Sequence, residues 1–187
     1  MKLIVGLGNP GKEYEATRHN VGFAMIDFLV PADEWEESTK ANALYARSKD
    51  LKNTELLKPL TFMNKSGDAV GYAKRKHKIK PENVLVIHDD LDIEVGRIKM
   101  TFAKSSAGHK GVESIVKALK TEKFWRLRIG IAPKRKPDHK RIKDWILSPF
   151  TPAEKKFVLK NKKKILEGIS LWLEHPEKGM QLVNTEK

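Results

Sequence analysis

His19, in the stretch TRHNVGF, and Asp89, in VIHDDLD, are the pair in this chain best suited to moving a proton. A carboxylate beside an imidazole fixes the ring tautomer and steadies the imidazolium, which makes the histidine a competent general base for water. The reference pKa of the ring is about 6.5, and a neighbouring carboxylate raises it. Asn9 in GLGNPG and Asn64 in TFMNKSG also stand at the ends of expected strands, so all four residues can share one rim. Other readings stand beside this one. A histidine near a helix start is often a cap or a packed side chain, and Asp89, Asp90 and Asp92 together have the carboxylate chemistry of a Mg²⁺ site. None of Ser66, Ser105 and Ser106 sits in G-x-S-x-G between a strand and a helix, so water is the expected nucleophile.

Such groups need a scaffold, and the hydrophobic pattern describes one. Residues 3–7 read as a short buried strand, and the spacing of Val21, Ala24, Met25, Phe28 and Leu29 reads as a helix entered near His19. Residues 43–48 and 54–58 flank the polar turn KDLKN and suggest a hairpin. A helix is expected over 64–78 with Ala69, Val70 and Ala73 inward, then a buried strand over 84–87 ending in an acidic loop. Strand 96–102, helix 109–120 and strand 127–132 follow. TPAE at 151–154 has the N-cap, first-turn proline and reciprocal glutamate of a helix start, so 152–174 is expected as one long helix. The basic, proline-containing stretch 133–143 reads as a surface connection and a candidate lid. Strands alternating with helices predict an α/β fold: one domain over 1–187, a three-layer α/β/α sandwich around a mixed sheet.

The opening run LIVGLGNPG matches G-x-G-x-x-G through Gly6, Gly8 and Gly11. A dinucleotide fingerprint needs its helix to begin within the glycine turn, so that the first free N–H groups meet the pyrophosphate. Here Pro10 and KEYEAT intervene, and helical spacing resumes only at His19. The glycines are instead expected to let the chain turn after the first strand and expose Asn9 in the crevice where open α/β sheets hold ligands.

Lys and Arg number 37 against 24 Asp and Glu, a formal charge of +13 that favours a polyanionic partner, although a solubilising surface gives the same balance. With no cysteine, disulfides, thiolate catalysis and cysteine-held metals are excluded. The first apolar run is too short for a signal-peptide core and no later stretch reaches membrane-spanning length, so a cytoplasmic protein without membrane contact is expected.

Taken in order, GLGNPGKEYEATRHNVGF, KPLTFMNKSG, VIHDDLD, SSAGHKGVESI and FWRLRIGI closely resemble bacterial peptidyl-tRNA hydrolases over nearly the whole chain. The resemblance implies a phosphorylase/hydrolase-like fold, hydrolysis of the ester joining a peptide or N-blocked amino acid to tRNA, and no metal or organic cofactor. It also implies contact with the acceptor stem and 3′ end of peptidyl-tRNA, by a monomer. Carried over by position, His19 is the general base, Asp89 the carboxylate that holds it, and Asn9 the residue that checks for a blocked amino group. Tyr14, Phe62 and Asn64 match positions that hold the substrate's 3′ end and peptide backbone, and Met63 shapes the pocket floor. Lys99 and Arg128 resemble positions near a tRNA phosphate, with Arg97 and Lys104 able to broaden that patch. One departure is AGHKG, which places Lys110 where the family commonly has an asparagine. An ammonium donates but cannot accept, so Lys110 could stabilise an oxyanion or clasp a phosphate without replacing the lost acceptor, and His109 gains weight. Two rivals remain: a non-catalytic RNA-binding protein of the same fold, against which His19, Asp89, Asn9 and Asn64 together argue, and a Mg²⁺-dependent phosphohydrolase.

Overall fold

The computed structural model describes residues 1–48, 50–133 and 138–185, the side chain at 139 excepted. Seven strands form its centre: β1 (Lys2–Gly6), β2 (Glu36–Ser38), β3 (Ala43–Ala46), β4 (Thr54–Pro59), β5 (Val84–Glu94), β6 (Ile98–Phe102) and β7 (Trp125–Ala132). They lie side by side in the order β2-β3-β4-β1-β5-β7-β6. The four inner strands are parallel, while β2 and β3 on one flank and β6 on the other run antiparallel to their neighbours. The sheet is therefore mixed, as expected. Continuous apolar runs such as LIV in β1 and VLVI in β5 suit strands covered on both faces.

Alternation along those strands divides the core in two. Ile4, Leu85 and Ile87 face α1 (Val21–Ile26) together with Ile165, Ile169 and Trp172 of α6 (Lys162–Glu174). Leu3, Val5, Val84 and Val86 face α2 (Ser66–His77) and α3 (Lys110–Leu119) through Ala69, Val70, Val112 and Ile115. Helices cover both faces, which is the three-layer arrangement. Between α3 and α6 come α4 (Ile142–Ile146) and α5 (Pro152–Lys160), and α7 (Pro176–Asn184) follows α6. The free edge at β6 is closed by Asn184, whose side-chain amide donates to the Met100 carbonyl at 2.9 Å and accepts from its N–H at 2.8 Å, as a neighbouring strand would. Among the described residues no helix is long and apolar enough to cross a membrane.

Several boundaries differ from the sequence expectation. HDDLD is not an acidic loop after the strand but part of β5, which runs eleven residues and pairs with β7 through His88, Asp89 and Asp90. The acidic residues remain in the strand because their side chains find partners, described below. The long helix expected over 152–174 is two, broken at Asn161, whose side-chain Nδ2 donates to the Gly96 carbonyl at 2.7 Å. The segment near His19 enters through a 3-10 turn, Arg18–Asn20, and α1 stops at Ile26, before Phe28 and Leu29. The edge strand β2 and helix α7 carry no expectation above. Of the three opening glycines only Gly11 has positive φ, at 111°. Gly6 instead permits close approach: a Cβ there would lie 2.6 Å from the Gly22 carbonyl oxygen, so the pair lets α1 press onto β1. The candidate lid at 133–143 lies partly outside the described residues.

Candidate active site

Strand β1 lies between β4 and β5, and the connections after β1 and β4 pass to opposite faces, to α1 and α2, so a crevice opens at the carboxyl ends of these strands. Four segments line it: the loop after β1 with Asn9, the 3-10 turn with His19, the 3-10 turn Met63–Lys65 after β4, and the outer half of β5 with Asp89. His109, at the N-cap of α3, completes the rim.

Asp89 is 3% exposed and binds two imidazoles through a single oxygen: His19 Nδ1 and His109 Nε2 each lie 2.9 Å from its Oδ1. The tautomers follow from the other contacts. His109 Nδ1 accepts the backbone N–H groups of Gly111 and Val112 at 3.2 and 3.3 Å, so its proton sits on Nε2 and is donated to Asp89. Satisfying the first free N–H groups of α3 thus also aims this ring. His19 Nδ1 likewise faces a carboxylate and carries the proton there, which leaves Nε2 as the lone-pair nitrogen, with no partner among the described residues. His88 packs behind: its ring meets His109 edge-on at 4.7 Å, and its Nδ1 donates to the Asp89 carbonyl at 2.6 Å.

The charges follow from burial and from these neighbours. Burial opposes protonation of His19, but the charge and hydrogen bond of Asp89 outweigh it and raise its pKa above the ordinary imidazole value. Burial alone would raise the Asp89 carboxyl; His19 and His109 hold it far below the usual carboxylate range. His88 goes the other way, pushed well below the imidazole value by burial and by the nearby His109 and Arg126, so it stays neutral. One ionised carboxylate therefore orients His19 and raises its proton affinity above that of an ordinary imidazole.

Asn9 is held as firmly. Its Oδ1 accepts the Met63 N–H at 2.8 Å, which fixes the amide and turns the NH₂ end away from that bond. Asn20 clamps its backbone from both sides, accepting from the Asn9 N–H and donating to the Asn9 carbonyl, both at 2.9 Å. Asn20 belongs with His19 to the polar cluster of TRHNVGF that can reach the rim, but its clamp on Asn9 has no signal in the sequence. Met63 is buried, and its sulfur would lie 2.5 Å from a Cβ at Gly111, so the glycine after Lys110 is what lets Met63 and α3 meet.

Tyr14 and Phe62 stand edge to face at 6.4 Å, and Phe62 is 59% exposed. Asn64 is exposed in its turn next to them. Lys99 and Arg128 are direct partners across β6 and β7, and Arg128 Nε donates to Asp90 Oδ2 at 2.7 Å while Lys99 is exposed. Arg97 and Lys104 are exposed on either side of Lys99 in the sequence. Lys110 does not turn toward Asp89: its ammonium, 69% exposed, donates to Glu113 on the same helix at 3.2 Å.

The ligand atoms of His19, Asp89 and His109 lie within 4.8 Å of one another, close enough to consider a metal. Hydrogen bonds already account for the spacing, since each nitrogen is 2.9 Å from the shared oxygen, and a set of two imidazoles is not the oxygen-rich shell that Mg²⁺ prefers. The Asp89, Asp90, Asp92 grouping does not form a common site either, because Asp90 is turned to Arg128 and to the Asp92 N–H.

A buried carboxylate behind an imidazole with one open nitrogen, in the crevice of a mixed α/β sheet, has the geometry that general-base chemistry requires. The comparisons narrow that chemistry. A family model described as peptidyl-tRNA hydrolase matches residues 3–187. The peptidyl-tRNA hydrolase of Aquifex aeolicus is 44% identical over 192 residues, covering 100% of this chain and 97% of that one. That of Bacillus thuringiensis subsp. konkukian is 41% identical over 189 residues, covering 99% and 98%. The crystal structure of peptidyl-tRNA hydrolase from Acinetobacter baumannii superposes with a TM-score of 0.91 at 32% identity, covering 100% of this chain and 96% of that one. The chain belongs to the peptidyl-tRNA hydrolase family.

Proposed function

We propose that this chain hydrolyses the ester joining a peptide, or an N-blocked amino acid, to the terminal ribose of tRNA, with His19 as general base. The observation that carries the reading is the His19 Nδ1 to Asp89 Oδ1 contact at 2.9 Å, which leaves Nε2 free to take a proton. Water bound at Nε2 attacks the ester carbonyl as its proton passes to the ring. The tetrahedral intermediate then collapses, the C–O bond to the ribose breaks, and the imidazolium returns the proton to the departing oxygen. The products are free tRNA and a carboxylic acid, which ionises by losing its proton to solvent.

Asn9 supplies selectivity. Its oxygen is occupied by Met63, so it offers a donor, which suits the carbonyl of a blocked amino group and mismatches a free ammonium. Asn64 lies on the same rim for the peptide backbone, and Tyr14 with the exposed Phe62 offers a stacking platform for the 3′-terminal base or ribose. The pairing of Lys99 with Arg128 across β6 and β7 supports an acceptor-stem phosphate on that side, where the exposed Arg97 and Lys104 can broaden the basic patch. No metal or cofactor enters any step.

The test is release of tRNA from N-acetylated and from unblocked aminoacyl-tRNA. The blocked substrate is expected to turn over much faster, and His19→Ala to lose about 10²- to 10⁴-fold in kcat. Equal rates from the variant would refute the assignment. Tight binding with no turnover by the wild type would select the RNA-binding rival instead.

A further inference from the structure

The 3-10 turn Arg18–Asn20 presents three consecutive side chains to three different parts of the molecule. His19 meets Asp89, Asn20 clamps Asn9, and Arg18 reaches the segment between α4 and the first turn of α5. That segment is about 130 residues away in the chain, yet Arg18 holds it at several points. Its Nη1 donates to Ser148 Oγ at 2.6 Å and to the Ser148 carbonyl at 3.2 Å, and Nη2 donates to Glu154 Oε2 at 2.6 Å. The guanidinium lies over the Trp145 ring at 3.7 Å, and the Arg18 N–H donates to the Ser148 carbonyl at 3.1 Å. Thr17 forms a bridge with Pro149 beside it. Trp145 is itself anchored, its Nε1 donating to the Ile131 carbonyl at the end of β7 at 2.9 Å.

A cation with 3% side-chain exposure is costly to hold unless its partners are well placed, and a planar fork stacked on an indole is a geometry that lysine cannot reproduce. The cost falls on the residue directly before His19. We propose that Arg18 is a positioning residue for the general base: it fixes the backbone of the His19 turn against the strap 145–154, so that ordering the strap and seating the imidazole on Asp89 are one event. The inference rests on the assignment of His19 as base. It extends the site to Trp145, Ser148 and Glu154, which carry none of its chemistry.

Two variants test it. Glu154→Gln keeps the helix cap, because glutamine serves the reciprocal role with Thr151, and removes only the charge facing Arg18. Arg18→Lys keeps a charge and removes the fork and the stack. In both, kcat is expected to fall, by about threefold and about tenfold, with KM within about twofold, as for a group that misplaces a reacting atom without touching substrate. The acid limb of the rate profile should move to lower pH as the ring loosens from Asp89. Imidazole ¹⁵N spectra should show His19 losing its single Nδ1–H tautomer. A purely structural ion pair would lower the melting temperature and leave the tautomer and the acid limb at wild-type values in both variants, and that result overturns the proposal. The nitrogen spectra need no substrate, so they decide this point even if the esterase assignment fails.

Discussion

Two buried carboxylates in this protein sit against histidines, at opposite ends of the sheet. Asp89 lies at the carboxyl end of the parallel strands, and Glu55, 4% exposed, lies at the amino end of β4, opposite Leu3 of β1. Glu55 approaches His77 Nε2 at 3.2 Å and Arg47 at 3.7 Å, beside a hollow of about 450 Å³ lined by Glu34, Glu36, Tyr45, Arg47 and Lys76. On residue types and room alone, that end would also qualify as a site. What separates the two is orientation. His77 Nε2 points at its carboxylate off a hydrogen-bond line, and Arg47 is 67% exposed. At Asp89 both imidazoles are on line, one is fixed by the backbone of α3, and the remaining nitrogen of the other opens on the crevice. A histidine–carboxylate pair becomes a base only where its second nitrogen is aimed at substrate.

The largest expected effect tests this difference directly. Asp89→Asn replaces an acceptor that demands Nδ1–H with a side chain able to donate, so the wrong His19 tautomer becomes available and kcat is expected to fall about 10²- to 10⁴-fold. Glu55→Gln should leave kcat within about twofold while lowering stability by about 1–3 kcal/mol, the range for removing one partner of a buried polar contact. Turnover measured on both variants checks the contrast. It breaks if the Glu55 variant loses as much activity as the Asp89 variant.

The pH dependence sharpens the same contrast by a smaller margin. As the proposed base His19 has to be neutral, and its pKa is raised, so kcat/KM should climb through one ionisation lying above about 6.5. The stability terms have opposite signs. The raised His19 contributes stability below about pH 6.5 that is lost as pH rises through its folded value, whereas the depressed Asp89 contributes above about pH 4 and loses it as pH falls. Rate profiles with a melting series between pH 4 and 9 check both. An acid limb below about 6 would mean that Asp89 does not support the ring.

Much of this architecture could be read from the sequence, because apolar runs and helical spacing are local signals. LIV, VLVI and the Ala69, Val70, Ala73 stripe led to β1, β5 and α2 with only boundary shifts. HDDLD reads as an acidic loop after the strand because nothing local holds its carboxylates; in the structure Asp89 and Asp90 are kept in the strand by His19, His109 and Arg128, all distant in the chain. Asn161 broke an expected helix for the same kind of reason, a contact with Gly96 that no periodicity encodes. The pairing of His19 with Asp89 was legible as chemistry. The shared oxygen, the Asn20 clamp and the Arg18 anchor were not, because each depends on which side chain a 3-10 turn sends in which direction.

The smallest effect concerns Lys110, and it contrasts the buried cluster with its exposed rim. The sequence allowed this ammonium to stabilise an oxyanion or clasp a phosphate. Instead its ion pair with Glu113 runs along α3, at a surface where such pairs contribute at most about 1 kcal/mol and hold a side chain weakly. A group left in solvent adds charge to the approach of a polyanion but little to a transition state inside the crevice. Lys110→Asn is therefore expected to change kcat by less than about threefold, and to lower the slope of log kcat/KM against log salt by no more than about one phosphate contact's worth, roughly 0.7–0.9. Rates on N-acetylated aminoacyl-tRNA across a salt series separate the two contributions. A loss of kcat beyond about tenfold at every salt concentration would show that Lys110 leaves Glu113 and reaches the ester carbonyl when substrate binds, and the rim would then belong to the catalytic cluster.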